Sequence, residues 1–365
     1  MIRKSVQNGI LLSLNIFFVI TIALSLLGSV LNPVKFLLPI YLIFGFPVFV
    51  IINILFMITW IFLRRWYFLL SMIVLFLSYN QISTIFPINF DRKDEKTIIR
   101  SLVIVSYNTN MNGNVKKHLQ NQPNGVIKYL LSTNADIICI QEYFVNKNKT
   151  YLTQEDVNKL FKNYPYKYIR FDSENNNRKT GLATFSKYPI IKNASIDYKS
   201  IFNASIYSDI VINKDTIRVI NNHLESNYFM GNDLLLPQQL EKKFNAENFF
   251  NTTMYIIHKL AVSYPIRAKQ ADKIHEIIKS THYKLIVCGD FNDIPISYSY
   301  TKIKKNLNDA FVKVGTGFGW TFNSPIYKLR LDYVFYDDNF VVKDFQIGKT
   351  YSSDHFPVKC VLHIK

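Results

Sequence analysis

The feature that most constrains this sequence is the uneven distribution of its charged residues. All 26 acidic residues follow Phe90, and the first 90 residues carry only five charged side chains, all basic: Arg3, Lys4, Lys35, Arg64 and Arg65. The first 90 residues thus contribute +5 of the net charge of +17, which leaves +12 for the remainder. A segment so poor in charge and so rich in apolar side chains is suited to lipid rather than water. We therefore predict a transmembrane anchor over 1–90 and a separate domain after it.

Three apolar stretches in this anchor are candidates for helices that cross a bilayer. Gly9–Leu31 and Phe36–Leu63 contain no charged residue, and at about 1.5 Å per residue each can span a hydrocarbon core of roughly 30 Å. Trp66–Phe86 is the weakest, because polar side chains dilute its second half. A cleaved signal peptide is the alternative for the first stretch, but this apolar run is longer than the core of such a peptide. We predict about three transmembrane helices.

The basic residues of the anchor predict its orientation, because lysine and arginine are enriched on the cytoplasmic side of membrane proteins. Arg3 with Lys4, and Arg64 with Arg65, fall on the same side if the first two helices cross, which puts the N-terminus inside. A third crossing then places the following domain outside. If Trp66–Phe86 is instead re-entrant or interfacial, the domain is cytoplasmic. We favour three crossings, and hence an integral protein of the cell (inner) membrane with an extracytoplasmic domain.

The remainder of the chain divides into a charged linker at 91–100 and one large domain at 101–365. Short apolar runs alternate in this domain with longer amphipathic ones, which is typical of an α/β or α+β fold. Strands are predicted at Leu102–Tyr107, Ile137–Ile140, Leu182–Phe185, Ser205–Ile212, Thr216–Asn221, Lys284–Cys288, Tyr333–Phe335 and Val358–Ile364. Helices are predicted at Gly125–Ser132 and, with an interruption near Pro265, within Glu241–Ser280.

Composition excludes two other classes of protein. An apolar content of 49% with 15% aromatic residues allows enough burial to offset the entropy of ordering, which excludes a disordered chain. Cys139, Cys288 and Cys360 are odd in number, and each lies in an apolar run that we predict to be a buried strand. A disulfide scaffold is therefore excluded as well.

Several apolar runs end in a carboxylate, an amide or a histidine where ordinary turn residues would suffice. Six such ends occur, in the segments SLVIVSYNTN, DIICIQE, IRVINNHLES, LIVCGDFND, LDYVF and SDHFPV. The polar residues concerned are Asn108, Asn110, Glu142, His223, Asp290, Asn292, Asp332, Asp354 and His355. Each one alone has an ordinary explanation as a turn residue, a cap or a buried histidine. Coincidence at six strand ends is not expected, so we infer that these residues form one site.

Together and in this order, the six segments resemble the endonuclease/exonuclease/phosphatase superfamily, whose fold is that of deoxyribonuclease I. GDFND and SDH are the most specific marks, and the resemblance covers roughly residues 101–365. It implies a four-layer sandwich of the α/β (α+β) class, with two mixed β-sheets packed face to face, helices outside and an active site at one end of the sheets. The chain is also similar to bacterial members that carry several N-terminal membrane helices.

The resemblance implies a divalent metal site, with Mg²⁺ as the cofactor and Mn²⁺ as a substitute. Glu142 would be the principal ligand, with Asn108 beside it and Asp354 assisting on the metal side. Oxygen ligands of this kind suit a hard, largely hydrated cation. Asn110 stands where many nucleases of the family have aspartate, which removes one carboxylate and weakens the expectation of a second metal.

The resemblance also implies how the remaining residues act on a phosphodiester. Asp290 would orient or deprotonate the attacking water, and Asn292 would bind a phosphate oxygen. His355, polarised by Asp332, would stabilise the charge that develops on the phosphoryl group. His223 would protonate the leaving oxygen. Such donors and a cation are needed because an anionic phosphodiester repels its nucleophile.

Three functions remain open at this point. We favour a nuclease-like phosphodiester hydrolase, because a charge of +12 and aromatic residues such as Trp320 suit an anionic polymer with bases. Asn110, Asn292 and Trp320 would contact this substrate. The alternative is a sphingomyelinase-like hydrolase of lipid headgroups, because the anchor would hold the enzyme at the lipid bilayer. A membrane-tethered binding protein without activity is the least favoured, since every expected catalytic residue type is present. The sequence indicates no protein partner.

Overall fold

The structure is a computed structural model of the chain. It describes residues 2–90, 101–115, 117–118, 124–174, 177–198, 200, 203–227, 246–323, 328–350 and 352–365. The linker predicted at 91–100 lies outside the described residues, as do residues 241–245 of the second predicted helix. The division into anchor, linker and catalytic domain stays a prediction.

The N-terminal segment forms helices α1 (Ile2–Gly28), α2 (Leu38–Phe62), α3 (Phe68–Leu77) and α4 (Tyr79–Ile85). Two of them, over Val6–Gly28 and Leu38–Phe62, are long and apolar enough to cross a membrane, with mean hydropathies of 2.6 and 2.5. The third predicted span is broken, because α3 and α4 meet at a bend of 63°. The segment therefore offers two spans, or three if the bent pair counts as one.

Polar side chains at the centre of this bundle link its helices. The Asn15 amide donates to the Ser71 hydroxyl at 2.8 Å, and the Trp60 indole donates to the Asn15 carbonyl oxygen at 3.0 Å. Ser71 in turn donates to Asn53 at 3.1 Å. All four residues are buried. Because such groups are costly to leave unpaired in an apolar medium, these contacts fix which faces of α1, α2 and α3 meet.

The rest of the described chain is built on two six-stranded sheets and a short hairpin. The first sheet contains β1 (Ser101–Asn108), β2 (Ile137–Asn146), β3 (Tyr166–Glu174), β4 (Arg178–Ser186), β13 (Phe340–Ile347) and β14 (Val358–Ile364). The second contains β5 (Ile190–Ile196), β6 (Ala204–Ile212), β7 (Asp215–His223), β8 (Lys284–Asp290), β9 (Asn308–Asp309) and β12 (Asp332–Tyr336). The hairpin pairs β10 (Phe322–Asn323) with β11 (Lys328–Leu329).

Both sheets are mixed, as predicted. The strand orders are β13-β14-β1-β2-β4-β3 and β5-β6-β7-β8-β12-β9. In each sheet one central pair is parallel, β1 with β2 and β7 with β8, while the other pairs are antiparallel. Each of the eight predicted strands overlaps a strand of the structure. The carboxyl ends of the two parallel pairs supply most of the polar residues singled out from the sequence.

Helices cover the outer faces of the sheets and complete the predicted four-layer sandwich. The helices that do so are α6 (Gly125–Ser132) and α7 (Gln154–Leu160) on the first sheet, and α8 (Ala246–Ser280) and α9 (Tyr298–Lys304) on the second. Two short helices, α5 (Asn110–Val115) and α10 (Ala310–Val314), complete this part of the chain, and Ala310 of α10 belongs to the core between the sheets. One apolar core lies between the sheets, a second joins α6 and α7 to the first sheet, and a third joins α8 and α9 to the second. Cys139, Cys288 and Cys360 are free and buried between the sheets, as their apolar surroundings predicted.

The predicted interruption of the long helix near Pro265 is wrong. Helix α8 runs through Pro265 without a break, although a proline inside a helix costs about 3 kcal/mol. The neighbouring side chains explain why the helix continues. Tyr264, Arg267 and Ala268 are fully or almost fully buried, so packing on both sides of the proline outweighs the lost backbone hydrogen bond.

Buried amide side chains link the two sheets beneath one end of the sandwich. Gln141 of β2 donates to Asn221 of β7 at 2.6 Å. The Asn221 amide donates in turn to the carbonyl oxygens of Ile140 and Ala183, at 3.3 and 3.1 Å. Both amides are fully buried. We call the Gln141–Asn221 contact an inter-sheet amide bridge.

We expect Gly289→Ala to destabilise the protein, because Gly289 in β8 has a φ of 128° and faces the β7 backbone. A Cβ atom there would lie 2.0 Å from the carbonyl oxygen of Asn222. Strain in this backbone region alone costs about 1–3 kcal/mol, and displacement of β7 adds to it. Gly317→Ala is the matched control, since its φ of 88° carries the strain but nothing lies within 4 Å of the new Cβ. The expected result is a lower Tm for Gly289→Ala than for the control; equal values would show that the close approach to Asn222 is unimportant.

Candidate active site

Three predicted site residues form one row across the second sheet. Asp290, the last residue of β8, is paired with His223 at the end of β7 and with Asp332 at the start of β12. Neighbouring residues in register project from the same face of a sheet, so the three side chains lie together. The His223 Nε2 atom is 3.9 Å from the Asp290 Oδ2 atom. The strand ends alone thus bring together three of the nine polar residues predicted to form one site.

Asn108 connects this row to the first sheet. It is the last residue of β1, and its side-chain nitrogen donates to Asp290 at 2.9 Å and to Glu142 at 3.3 Å. Its side-chain oxygen, Oδ1, accepts from the backbone N–H of Asn110 at 3.1 Å. Asn108 therefore holds a carboxylate from each sheet, which fits its predicted place beside a metal.

Glu142 does not end its strand, contrary to the sequence prediction. Strand β2 continues to Asn146, and the register with β4 shifts between Ile140 and Tyr143. Glu142 occupies this β-bulge with a φ of 51°. A bulge re-aims one side chain while the strand goes on, and here it leaves the Glu142 side chain 31% exposed and 3.8 Å from the Nε2 atom of His223.

His355 enters the site from the loop before β14 and is paired with Asp332. Its Nδ1 atom is 2.8 Å from Asp332 Oδ2, and its Nε2 atom is 3.6 Å from Asp290 Oδ2. The Phe322 ring packs edge-on against the imidazole with the centroids 4.9 Å apart. The predicted pairing of two residues that lie 23 positions apart is thus present as a buried hydrogen bond.

The electrostatics of the site are those of carboxylates crowded in a poorly solvated space. Burial, together with Asp354 and Asp290, raises the pKa of Glu142 to about 7. Burial also raises the pKa of Asp290 and lowers the pKa of His223. Burial alone would lower the pKa of His355 too, but Asp332 and Asp290 outweigh it and raise that pKa to about 10. At neutral pH His355 is therefore cationic, whereas Glu142, with a pKa of about 7, is only partly ionised.

A family model described as "Endonuclease/Exonuclease/phosphatase family" matches residues 105–355, which is more than half of the chain. The chain belongs to the endonuclease/exonuclease/phosphatase family. The superfamily that the sequence resembles is thereby confirmed. A second family model, described as a domain of unknown function (DUF8431), matches residues 8–85. No curated protein matches the chain.

The chain is also similar to several solved structures. One is an endonuclease/exonuclease/phosphatase from Beutenbergia cavernae, 13% identical over 73% of this chain and 72% of that one, with a TM-score of 0.47. Another is the human Nocturnin catalytic domain with bound sulfate anion, 16% identical over 74% and 97% of the two chains, with a TM-score of 0.49. A third is D. rerio TDP2 complexed with single strand DNA product, 15% identical over 72% and 99%, with a TM-score of 0.48.

Members of the endonuclease/exonuclease/phosphatase family generally use divalent metals, and the residues present here fit such an ion. Glu142, Asn108 and Asp354 offer oxygen atoms. Burial and the neighbouring carboxylates of Asp354 and Asp290 raise the pKa of Glu142, and a bound cation would favour its ionised form. A second set, Asp290, Asp332 and His355, has ligand atoms within 4.8 Å of one another. In that set, His355 Nδ1 is already hydrogen-bonded to Asp332. This contact favours a role for the set in proton transfer and charge stabilisation over a role in metal binding.

Two of the three residues predicted to bind substrate, Asn292 and Asn110, lie beside the candidate site. Asn292 follows β8 with a φ of 49°, its backbone N–H donates to Asp290 Oδ1 at 2.8 Å, and its side-chain amide donates to the Leu224 carbonyl at 2.9 Å. Asn110 also has a left-handed φ, of 45°, and begins α5. Both thus lie beside site residues. Their roles in binding substrate stay predictions.

Trp320 lies on the surface and belongs to an aromatic row. It is 44% exposed and stacks on Phe318 with ring centroids 5.4 Å apart, while Phe318 packs edge-on against Phe86, just after α4. Lys328 lies over the Trp320 ring at 5.3 Å. Exposed aromatic rings flanked by a basic residue are typical of the boundary between membrane and water. The predicted contact between Trp320 and substrate stays a prediction.

Sequence reasoning missed a buried network directly behind the site. Arg267 of α8 is fully buried and donates to the carbonyl oxygens of Asn292 and Glu225 at 2.7 and 2.8 Å. Its Nε atom lies 3.5 Å from the carboxylate of Asp293, which also accepts from the Tyr264 hydroxyl at 3.0 Å. The available signal was the polar pair Tyr264 and Arg267, three positions apart on the buried face of a helix.

Proposed function

We propose that this protein is a divalent-metal-dependent phosphodiester hydrolase held at a membrane by its N-terminal helices. The observation that carries the proposal is the cluster at one end of the two sheets. There Asn108 joins Glu142 to Asp290, and Asp290 lies between His223 and the His355–Asp332 pair. This combination of carboxylates, amide and cationic imidazole suits hydrolysis of an anionic ester.

Glu142, Asn108 and Asp354 would hold the metal ion. When bound, the ion supplies positive charge that offsets the phosphate charge and fixes the ester in place. His355 contributes a second positive charge, because its pKa of about 10 keeps it protonated at neutral pH. The side chain of Asn292 adds a neutral donor for a phosphate oxygen.

Asp290 would orient the attacking water, since its buried carboxylate has a raised pKa and is therefore a better base than an exposed aspartate. On the other side of the row, His223 would serve the leaving oxygen. Burial keeps His223 neutral in the free protein, whereas a bound anionic phosphate favours its protonated form. In that form the imidazole can transfer its proton to the leaving group.

The position of the site favours a substrate presented at the bilayer surface. Two residues of the loop after Asn292, Ile294 and Ile296, pack among the side chains of α1, α2 and α3. Next to β12, Arg330 precedes Asp332 by two positions and donates to the Thr84 carbonyl of α4 at 2.7 Å. The segments next to Asn292 and Asp332 thus both contact the helix bundle. This position supports a lipid-linked phosphodiester as the substrate.

A nucleic acid is the second candidate substrate, and the charge of the domain supports it. The net charge of +12 after residue 90 attracts any polyanion, although it carries no information about bases. A phosphodiester in a single strand could also enter a site at the edge of a bilayer. The experiment below separates the two substrates.

The decisive experiment is a substrate panel on the full chain in detergent micelles and in lipid nanodiscs with Mg²⁺ or Mn²⁺. The panel contains plasmid DNA, RNA, sphingomyelin, phosphoinositides and a chromogenic phosphodiester. We expect hydrolysis that is abolished by EDTA and restored by the metal, with the lipid substrates cleaved fastest. Faster cleavage of DNA or RNA would favour the nuclease. If no member of the panel is hydrolysed, the result would contradict the proposed hydrolase and favour a binding protein without activity.

We propose further that the catalytic domain lies outside the cytoplasm, because Arg64 and Arg65 mark the inner side and the segment from α3 to α4 crosses once more. Reporter fusions after Asn80 and after Lys96 test this prediction. A phosphatase reporter, which is active only outside the cytoplasm, should be active at Lys96, and a fluorescent reporter that matures only inside should be dark there. The opposite pair of signals at Lys96 would show that the bent pair is re-entrant.

A further inference from the structure

The loop that carries Asn292 runs directly from the candidate active site into the helix bundle. Ile294 and Ile296 follow Asn292 by two and four positions and join an apolar cluster of the bundle. Ile296 is only 4% exposed. Its buried neighbours in this cluster are Ile22, Ile43, Phe46 and Val74. We call the segment Ile294–Ile296 the wedge.

The backbone of the wedge is strained in a way that the bundle explains. Ile296 has a φ of 70°, a left-handed conformation that is unfavourable for a β-branched residue. Such a conformation persists only where the surroundings determine it more strongly than the local preference does. The packing of Ile296 among α1, α2 and α3 is that surrounding, so the bundle holds the end of the catalytic loop in place.

A buried clamp holds the other side of the same loop. Arg267 donates to the Asn292 carbonyl and lies 3.5 Å from the carboxylate of Asp293. Tyr264, which donates to Asp293, also packs against Ile40 of α2 and edge-on against the Phe44 ring at 6.2 Å. The clamp on α8 therefore rests on the same bundle as the wedge does.

We propose that the helix bundle is a positioning element of the active site as well as an anchor. It sets the place of Asn292 through the wedge, and the Arg267–Asp293 clamp keeps that place from the opposite side. This inference rests on the proposed function, in which Asn292 binds a phosphate oxygen. Glu142 and Asn108 lie on the first sheet, so the metal ligands are not set by the wedge.

The test compares Ile296→Ala with Ile58→Ala in the full chain in detergent micelles. Ile58 lies on α2 and is 42% exposed, so the control makes the same chemical change on the outer surface of the bundle. The substrate is a small water-soluble phosphodiester, which needs no bilayer for its presentation. We expect Ile296→Ala to lower kcat about 10-fold or more, because small misplacements of a binding group are costly. The KM and the Mg²⁺ midpoint of Ile296→Ala should match those of the parent. The kcat of Ile58→Ala should also match that of the parent.

Two further variants separate positioning from a loss of folding. Ile296→Leu keeps an apolar side chain in the bundle and should recover most of the parental kcat. In an Asn292→Ala background, Ile296→Ala should add little further loss, because the group that it positions is already gone. A full additional loss in that background, or a parental kcat for Ile296→Ala alone, would overturn the proposal.

Amide hydrogen exchange gives a readout that needs no turnover. Ile296→Ala should accelerate exchange in the segment 290–297 about 10-fold or more and leave the central strands unchanged, whereas Ile58→Ala should not. Unchanged exchange in that segment would overturn the inference even if the parent is an active hydrolase. Conversely, if Ile296→Ala exchanges faster but the parent hydrolyses no substrate, the coupling would be supported and the proposed function rejected.

Discussion

Glu142→Gln is expected to reduce metal-dependent hydrolysis by about 10³-fold or more while the protein stays folded. The substitution preserves the volume of the side chain and removes the negative charge that would hold the ion. Glu142 lies at a β-bulge, is partly exposed and accepts a hydrogen bond from the Asn108 amide. The side-chain oxygen of glutamine can accept the same hydrogen bond in the same place. The loss should therefore be chemical and not structural.

The measurement is the initial rate on the best substrate as a function of Mg²⁺ concentration, together with Mg²⁺ or Mn²⁺ binding by calorimetry. Glu155→Gln is the matched control, since Glu155 is exposed and forms a surface ion pair with Lys159 on α7. Its rate and metal midpoint should equal those of the parent. If Glu142→Gln hydrolyses the substrate at the parental rate at limiting Mg²⁺, Glu142 is not a metal ligand.

His355→Ala and Asp332→Ala are each expected to lower kcat/KM by about 10²–10⁴-fold, and the double variant should be little worse than the more damaging single. The reason is the buried Nδ1 to Oδ2 hydrogen bond of 2.8 Å. Once either partner is gone, the other can no longer act as half of a charged pair. In Asp332→Asn the imidazole loses the carboxylate that raises its pKa, so the alkaline limb of activity should move to lower pH.

A double-mutant cycle on kcat/KM with a full pH profile tests this coupling. His363→Ala and Asp338→Ala serve as the control pair, because His363 faces Ser101 at the other end of β1 and Asp338 is exposed. Their effects should be small and additive. Additive losses for His355 and Asp332 would contradict the pairing, and an unmoved alkaline limb in Asp332→Asn would show that His355 does not set it.

The strands predicted from the sequence are central ones, while the longer strands that it missed lie at the edges of the sheets. Strands β3, β5 and β13 are edge strands. A strand buried on both faces appears in the sequence as an apolar run, whereas an edge strand needs apolar residues on few positions. In β5, for example, only Ile196 is buried. The pairing that makes such a segment a strand comes from its neighbour and leaves little trace in its own residues.

The candidate site divides in the same way. The row of His223, Asp290 and Asp332 could be predicted because each residue closes or opens an apolar run, and strand ends meet at one edge of a sheet. The bulge at Glu142 and the burial of Arg267 could not be predicted from the sequence, because both depend on contacts with residues that are distant in the chain. Asp293 illustrates this limit. It lies inside GDFND, and its buried contacts with Arg267 and Tyr264, which the sequence does not reveal, distinguish it from an ordinary turn residue.

The inter-sheet amide bridge has a consequence for how this protein would fail on warming. Apolar faces tolerate a slight sliding motion, because dispersion contacts re-form after the shift, but a hydrogen bond between buried amides is simply lost. Gln141 with Asn221, and Asn108 with Asp290, therefore act as latches against shear of one sheet over the other. Each sheet supplies half of the site. Loss of these hydrogen bonds would therefore let Glu142 of the first sheet move away from Asp290 of the second while the strands within each sheet stay paired. If the proposed activity is present, we therefore expect it to be lost on warming at a lower temperature than the one at which the strands unfold.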